Sequence, residues 1–310
     1  MIQEIESMFS VRNAPWHGLG VLVNEALNSH DAIRAAGLNW TVSSERIYSR
    51  GNEIAGYKAN VRSSDKKTLG IVSDKYQIVQ NHRAFEFTDS LIDEGVTYET
   101  AGSLADGRRI WLLAKLPKRY SVAEDNIESY LLFSNSHDGS TGIKAAITPI
   151  RVLCMNSLNL ALKDAQRIWM AKHTGDVAAK MSEARRTLQL ADVYMEKLKT
   201  ECEGLEGIGL TDDKVYDLIK QLLPETAGAS DLARKNNNTL RENLALRYFD
   251  APDLSGKPRT ALRFINAVSD FVTHTEPLRK TQSYRENMFK KTVDGHPLLD
   301  MAHQIVLSVA

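Results

Sequence analysis

Apolar residues alternate with polar ones in the first half of the chain, whereas they recur every three or four positions in the second half. Between Thr41 and Ile150 the apolar runs have the length and the β-branched or aromatic content that strands favour. The separators Arg50-Gly51-Asn52 and Ser63-Ser64-Asp65 have the composition of hairpin turns. The pattern therefore predicts three strands within residues 46–73 and further strands at residues 108–116, 129–135 and 142–150.

Two helices are expected inside this β-rich half. The first begins at the Asn28-Ser29 pair and ends at Gly37, a residue that tolerates the left-handed backbone common after a helix. The second follows Asn81, a favourable N-cap residue, and ends at Gly95. Helices of this kind, inserted between antiparallel hairpins, are typical of a mixed fold.

Beyond Ile150 the spacing of apolar residues is helical. From Asp176 to Lys199 it is that of a heptad a/d stripe, formed by Val177, Met181, Ala184, Leu188, Ala191, Met195 and Leu198. Such a stripe packs either on the helix's own domain or across a subunit interface. Further helices are expected after Thr211, over residues 231–250, after Thr260 and at the end of the chain.

These elements predict an α+β fold, with an antiparallel β-hairpin region and inserted helices followed by a mainly helical carboxy-terminal half. We place the mixed region at residues 1–165 and the helical region at residues 166–310. The pattern is also compatible with one continuous domain, because the length of the chain suits either arrangement.

Charge limits the classes of partner. The 310 residues include 39 Lys or Arg and 39 Asp or Glu, so the net charge is zero and bulk attraction cannot coat the protein with nucleic acid. A local basic face remains possible. The two cysteines predict neither a disulfide framework nor a zinc site, and the acidic start, MIQEIESMFS, is unlike a signal peptide. We expect a cytoplasmic protein that does not enter a membrane.

Residues that could carry catalysis are few. His137 and Asp138 form an adjacent acid–base pair at a turn, and Cys154 precedes a helical segment that could lower the pKa of its thiol. His296 and His303 are seven residues apart, which does not suit a shared metal ion. Enzymatic activity is left open, and the sequence predicts no cofactor and no bound metal.

A polyanion contact is the other use of the same region. If residues 142–151 are extended, cations lie along the returning strand of a hairpin and at the start of the next helix, where free N–H groups attract anions. A basic residue beside an aromatic one, as in Lys75-Tyr76, suits single strands. The predicted nucleic-acid contacts are Lys75, Tyr76, Arg108, Arg109, Asn135, His137, Lys144, Arg151 and Asn156. Ordinary solvated charges would give the same pattern.

Four stretches carry a resemblance to a known family: PWHGLG near the start, GIVSDKYQIVQNHRAFEFTDSLID at 70–93, LLFSNSHDGSTGIKAAITPIRVLCMNSLNLAL at 131–162 and ALRFINAVSDFVTHTE at 261–276. The chain resembles a family of phage- and plasmid-encoded proteins catalogued as a domain of unknown function. Its Leu262-Arg263-Phe264 matches the small-aromatic pattern of the family more loosely. The resemblance implies an origin in mobile elements and supplies no catalytic residues.

Two functions follow as expectations. The first is a phage- or plasmid-type protein that binds single-stranded DNA and assists annealing or recombination, by analogy with ring- or filament-forming annealing proteins. Such a protein would form homo-oligomers. The second is a phage protein that binds and inhibits a host protein, such as a nuclease or a defence component, without catalysis.

Overall fold

The computed structural model describes residues 7–11, 21–24, 27–91, 97–122, 125–151, 160, 162, 167–188, 191–275 and 295–308. In chain order its strands are β1 Ser7–Val11, β2 Val21–Val23, β3 Val42–Ser49, β4 Asn52–Arg62, β5 Thr68–Ser73, β6 Thr97–Leu104, β7 Arg109–Val122, β8 Asp125–Ser136, β9 Ile143–Arg151 and β10 Ile168–Ala171. Its helices are α1 Ser29–Ala35, α2 Asn81–Leu91, α3 Val177–Leu188, α4 Ala191–Glu206, α5 Asp212–Leu222, α6 Asp231–Asp250, α7 Ala261–His274 and α8 Pro297–Ser308.

The predicted α+β class is confirmed, with antiparallel sheets in the first half and helices in the second. Seven strands form one sheet in the order β10-β9-β8-β7-β6-β1-β2, and β3, β4 and β5 form a second sheet. β1 and β2 run parallel, whereas β1 with β6, β6 with β7, β9 with β10, β3 with β4 and β4 with β5 pair antiparallel. The predicted strands within 46–73 and at 108–116, 129–135 and 142–150 all lie in these sheets.

Local turn and cap signals were reliable. Arg50 and Gly51 join β3 to β4 with φ values of 50° and 83°, the left-handed pair that a tight hairpin turn requires. Asn28 caps α1 by accepting a hydrogen bond from the Asp31 N–H at 2.9 Å. Thr211 caps α5 in the same way through Lys214. Asn81 is different, because it is the first residue of α2 and its amide bonds to other segments.

Four strands, three of them of five residues or fewer, were the main omission. The sequence did not single out β1, β2, β6 or β10, and it assigned the last of these to a helical region. In β10, Trp169 and Met170 pair with Ala145 and Lys144 of β9. A four-residue run has too little periodicity of its own, so a partner strand distant in sequence determines its conformation.

Two compact units make up the chain. The first contains residues 1–118, 129–147 and 166–191, and the second contains residues 119–128, 148–165 and 192–310. The predicted single stripe from Asp176 to Lys199 is described as α3, in the first unit, and α4, largely in the second, with residues 189–190 outside the described residues. The sequence-based boundary at residue 165 stays a prediction.

In the second unit, α7 is the central helix and packs against α6 and α8. Its buried Arg263 has no carboxylate among its described partners; it donates instead to the carbonyls of Tyr248 at 2.8 Å and Leu254 at 2.6 Å, and also to Lys257 and Phe249. The last carbonyls of a helix lack intrahelical donors, so this guanidinium completes the end of α6. No helix in the described part of the chain has both the length and the apolar content needed to span a bilayer.

Candidate nucleic-acid interface

The predicted contact region is organised around the turn between β8 and β9, residues 135–141, which we call the hairpin tip. Asn135, Ser136 and His137 are fully buried, whereas Gly139 and Ser140 are exposed. The Asp138 carboxylate accepts a hydrogen bond from the Ser140 N–H at 2.9 Å, the local bond expected of Asp in a turn. Gly139 has φ +74°, which supplies the left-handed residue of that turn.

Backbone groups of the hairpin tip bind three other segments. Asn60 of β4 donates to the His137 carbonyl at 2.7 Å, and the Tyr76 hydroxyl donates to the Ser136 carbonyl. The His137 N–H in turn donates to the Arg108 carbonyl at 2.6 Å. The hairpin tip therefore fixes β4, the loop after β5 and the turn before β7 at one place.

The His137 ring is part of this buried framework. Its Nε2 lies 2.9 Å from Oδ1 of Asn81, and the Asn81 amide nitrogen donates to the carbonyls of Leu38 and Trp40 at 3.0 and 3.3 Å. Since the Asn81 oxygen can only accept, Nε2 of His137 carries the proton. The Trp40 ring packs edge-on against the imidazole, with centroids 5.4 Å apart. His137 is thus bonded to Asn81, and Asp138 beside it is engaged in its own turn.

Burial, and then repulsion from His173, lower the pKa of His137 to about 3. Burial likewise lowers the pKa of His173, whose Nδ1 bonds to the Gln77 carbonyl at 3.0 Å. Both rings are neutral near pH 7. A neutral imidazole with no exposed surface offers neither a charge to a phosphate nor a base to a substrate.

Tyr76 is also enclosed. Its ring stacks on His173, with centroids 4.5 Å apart and an interplanar angle of 15°, and burial raises the pKa of its hydroxyl. Of the nine predicted contacts, Tyr76, Asn135 and His137 are therefore buried, and their side chains bond to other groups of the protein. The side chain of Arg151, and all of Asn156 and Cys154, lie outside the described residues.

The remaining four predicted contacts reach the surface. Lys75 and Arg108 are exposed, and neither has a side-chain partner within the described residues. Arg109 and Lys144 are half-buried, and Arg109 donates to the Ser140 hydroxyl at 3.1 Å. All four lie on the three segments that meet at the hairpin tip or on the hairpin itself. The sequence could assign these cations to strand ends, but not to a common place.

Neighbouring cations differ because carboxylates neutralise them. Lys67 lies 3.3 Å from Asp106, and Arg62 lies 2.7 Å from Asp65. The hydrogen bond from Arg62 holds the pKa of Asp65 down to about 2, so this pair stays charged over the physiological range. Lys75 and Arg108, which have no side-chain partner among the described residues, therefore differ from Arg62 and Lys67.

Sequence reasoning missed the buried amides and an exposed pair of tyrosines. Asn60 and Asn81 anchor the hairpin tip from 77 and 56 residues away, and nothing in their local sequence indicates it. Tyr48 and Tyr57 of β3 and β4 are 60% and 55% exposed. A signal for these two exists, because the stretch RIYSRGNEIAGYK has no apolar face with a period of two and so predicts a strand pair without a buried side.

Metal ligation finds no support among the described residues, which contain no group of three or more His, Cys, Asp or Glu positioned for an ion. His296 accepts a hydrogen bond from the Leu298 N–H at 3.1 Å, and His303 bonds to Glu201 at 2.7 Å. The two histidines at the end of the chain therefore each serve a different local contact.

Comparison with known proteins places the chain in a family. No curated protein and no solved structure matches it. The family profile described as a domain of unknown function, DUF932, matches residues 68–292, which include the hairpin tip, β6 to β10 and α7. Because the match covers well over half of its length, the chain belongs to the family DUF932.

Proposed function

We propose that this chain is a phage- or plasmid-type protein that binds single-stranded nucleic acid in the bacterial cytoplasm and assists annealing or recombination as a homo-oligomer. One observation carries the proposal. Lys75, Arg108, Arg109 and Lys144 belong to segments that hydrogen bonds join at the hairpin tip. The phage and plasmid assignment is supported by the four sequence stretches that resemble that family.

Clustering rather than total charge supports nucleic acid as the ligand. The net charge of the chain is zero, so attraction to phosphates has to come from a local excess of cations. Lys75 and Arg108 are exposed without a described carboxylate partner, so they gain most from a phosphate. The Asp138 carboxylate lies in the same hairpin tip, where it accepts a hydrogen bond from the Ser140 N–H of its own turn.

Fluorescence anisotropy with a labelled oligothymidine, over a salt series, tests the proposal. Binding should weaken linearly on a log–log plot, with each phosphate contact contributing about 0.7 to the slope for single strands. The double variant K75E/R108E should bind about tenfold more weakly or worse, with a slope smaller by about 1 to 2. The control K214E/K235E makes the same charge change on exposed residues of α5 and α6 and should bind nearly as the parent does.

Absence of binding at low salt, or binding without a salt slope, would overturn the proposal. Equal losses in K75E/R108E and in the control would show that only net charge matters. Mass measurement with and without the oligonucleotide tests the homo-oligomer at the same time.

A protein partner is the second candidate function, and one observation favours it. A groove of about 680 Å³ lies between α5 and α6 and is lined by apolar and charged side chains, among them Tyr216, Leu246, Phe249, Lys220 and Glu242. The variant L246E separates the two functions. If it abolishes capture of a single stoichiometric host protein that K75E/R108E still captures, the inhibitor function is favoured; if oligonucleotide binding alone is detected, it is excluded.

A further inference from the structure

The β3–β4 hairpin extends beyond the edge of its sheet. β5 pairs with β4 only from Tyr57 to Val61, so residues 46–56 form a two-stranded ribbon with which no other described strand pairs. We call residues 46–58 the outer ribbon. Its side chains are exposed apart from Ile47 and Lys58, which are half-buried, so it contributes no core. Two strands without a packed face are only marginally stable, and a purely structural role does not explain their length.

The outer ribbon exposes aromatic rings. Tyr48 and Tyr57 are 60% and 55% exposed. Tyr57 pairs with Ser73, and Ala59, two residues on, pairs with the exposed Ile71, so these four residues share one face of the sheet. Exposed tyrosines present flat apolar surfaces of the kind on which bases stack.

Cations accompany the rings. Arg50 and Lys58 have no side-chain partner among the described residues, while Arg46 is paired with Glu53 at 3.1 Å. The Asp74 N–H donates to the Gly56 carbonyl at 3.1 Å, which brings Lys75 beside the residues that precede Tyr57. The outer ribbon therefore lies next to the segment that carries Lys75.

Backbone strain at the turn of the outer ribbon also bears on its role. Arg50 has φ 50°, a left-handed conformation that few residues other than Gly, Asn and Asp adopt readily. Asn followed by Gly is the favoured pair in this turn, and this chain has Arg50-Gly51 instead. Arg50 thus places a long cation at the exposed turn of the ribbon at a cost in backbone strain, which a role for its charge would explain.

We propose that the outer ribbon is a nucleic-acid-binding arm, on which Tyr48 and Tyr57 stack with bases of a single strand while Arg50, Lys58 and Lys75 contact its phosphates. The inference rests on the proposed function and adds the site of base contact to it. Phosphate contacts alone do not distinguish single strands from duplexes. Stacking does, since bases in a duplex present their faces to each other. The arm therefore selects single strands.

Anisotropy with oligothymidine and with a duplex of the same length tests this inference. The variant Y48A/Y57A should bind oligothymidine about tenfold more weakly, and its duplex binding should change little. The matched control Y48F/Y57F keeps both rings and removes only hydroxyls, so it should bind within about twofold of the parent, since stacking rather than hydrogen bonding is invoked. R50N should weaken binding and lower the salt slope while raising the melting temperature.

The outcomes separate the two proposals. If the parent binds and Y48A/Y57A binds equally well, the proposed arm is excluded. The proposed function, which rests on the cations at the hairpin tip, is then unaffected. If the parent does not bind at low salt, both fall. If Y48F/Y57F loses as much as Y48A/Y57A, or if duplex binding falls in parallel, stacking is excluded. If Y48A/Y57A folds poorly, oligothymidine binding by R50N tests the arm independently. Unchanged binding by R50N would argue against the arm.

Discussion

Two hairpin turns of the amino-terminal unit carry equally polar sequences and have opposite environments. The hairpin tip, NSHDGST at 135–141, begins with three fully buried residues, whereas YSRGNE at 48–53 is exposed throughout. The first is bonded to Asn60, Tyr76 and Arg108, whereas the bonds described for the second lie within β3 and β4. Polarity at a turn therefore does not distinguish a binding surface from a framework. What distinguishes them is whether distant segments supply hydrogen-bond partners.

The largest expected effect is on folding, at the hairpin tip. Replacing His137 with Ala removes a buried ring and leaves Oδ1 of Asn81 without a donor, which should cost about 4 kcal/mol of unfolding free energy. The matched change in the outer ribbon, Tyr57→Ala, should alter stability by less than about 0.5 kcal/mol because the ring is exposed. Urea denaturation of both variants measures the difference. Equal losses would show that the outer ribbon is also part of the core.

Acid should destabilise the protein through the same residue. The pKa of His137 is about 3 in the folded protein and about 6.5 when unfolded, so the unfolded chain binds the extra proton between these values. The stabilisation is complete above pH 6.5 and is lost as the pH falls towards 3. The slope is about 1.4 kcal/mol per pH unit for each such histidine, or about 2 to 3 kcal/mol by pH 4.5.

Several charged groups bear on this slope. His173 has a lowered pKa for the same reason and adds to it, with Lys180 nearby contributing repulsion. The low pKa of Asp65 affects stability only below about pH 4, because its unfolded value is 3.8. The variant His137→Gln should therefore show a smaller slope between pH 4.5 and 6.5 in urea denaturation. An unchanged slope would mean that His137 is protonated in the folded state.

Replacing a glycine in each of the two regions should change stability by a smaller amount. A Cβ on Gly70 would lie 2.5 Å from the Cα of Asp138 in the hairpin tip, so Gly70→Ala should cost about 2 kcal/mol. Gly56 in the outer ribbon has φ +83° and no atom within 4 Å of an added Cβ, so Gly56→Ala should cost about 1 kcal/mol from backbone strain alone. Thermal melting compares the two. A larger loss of stability in Gly56→Ala than in Gly70→Ala would contradict this prediction, because it would show closer packing in the outer ribbon than at the hairpin tip.

The features that the sequence predicted correctly are those that depend on residues close together in the chain. The turn at Arg50-Gly51, the caps at Asn28 and Thr211 and the α+β class all depend on residues close together in the chain. The burial of Asn135 and His137 could not be predicted, since their partners lie 56 or more residues away. The exposed positions of Lys75 and Arg108 were consistent with their type, but the attachment of their segments to the hairpin tip depends on the Tyr76 hydroxyl and on a backbone bond.

The smallest expected effect is a gain in stability at Arg50. Comparing it with the same charge removal at Lys58 distinguishes the effect of backbone strain from the effect of charge. Replacing Arg50 with Asn relieves the left-handed conformation at φ 50° and should raise the unfolding free energy by about 0.5 kcal/mol. Lys58→Asn removes the same charge from an extended position of β4, where Asn is a poorer residue, and should give no gain. Both variants should bind oligonucleotide more weakly. If R50N is no more stable than the parent, the turn is unstrained, and the argument that Arg50 is retained for its charge loses its basis.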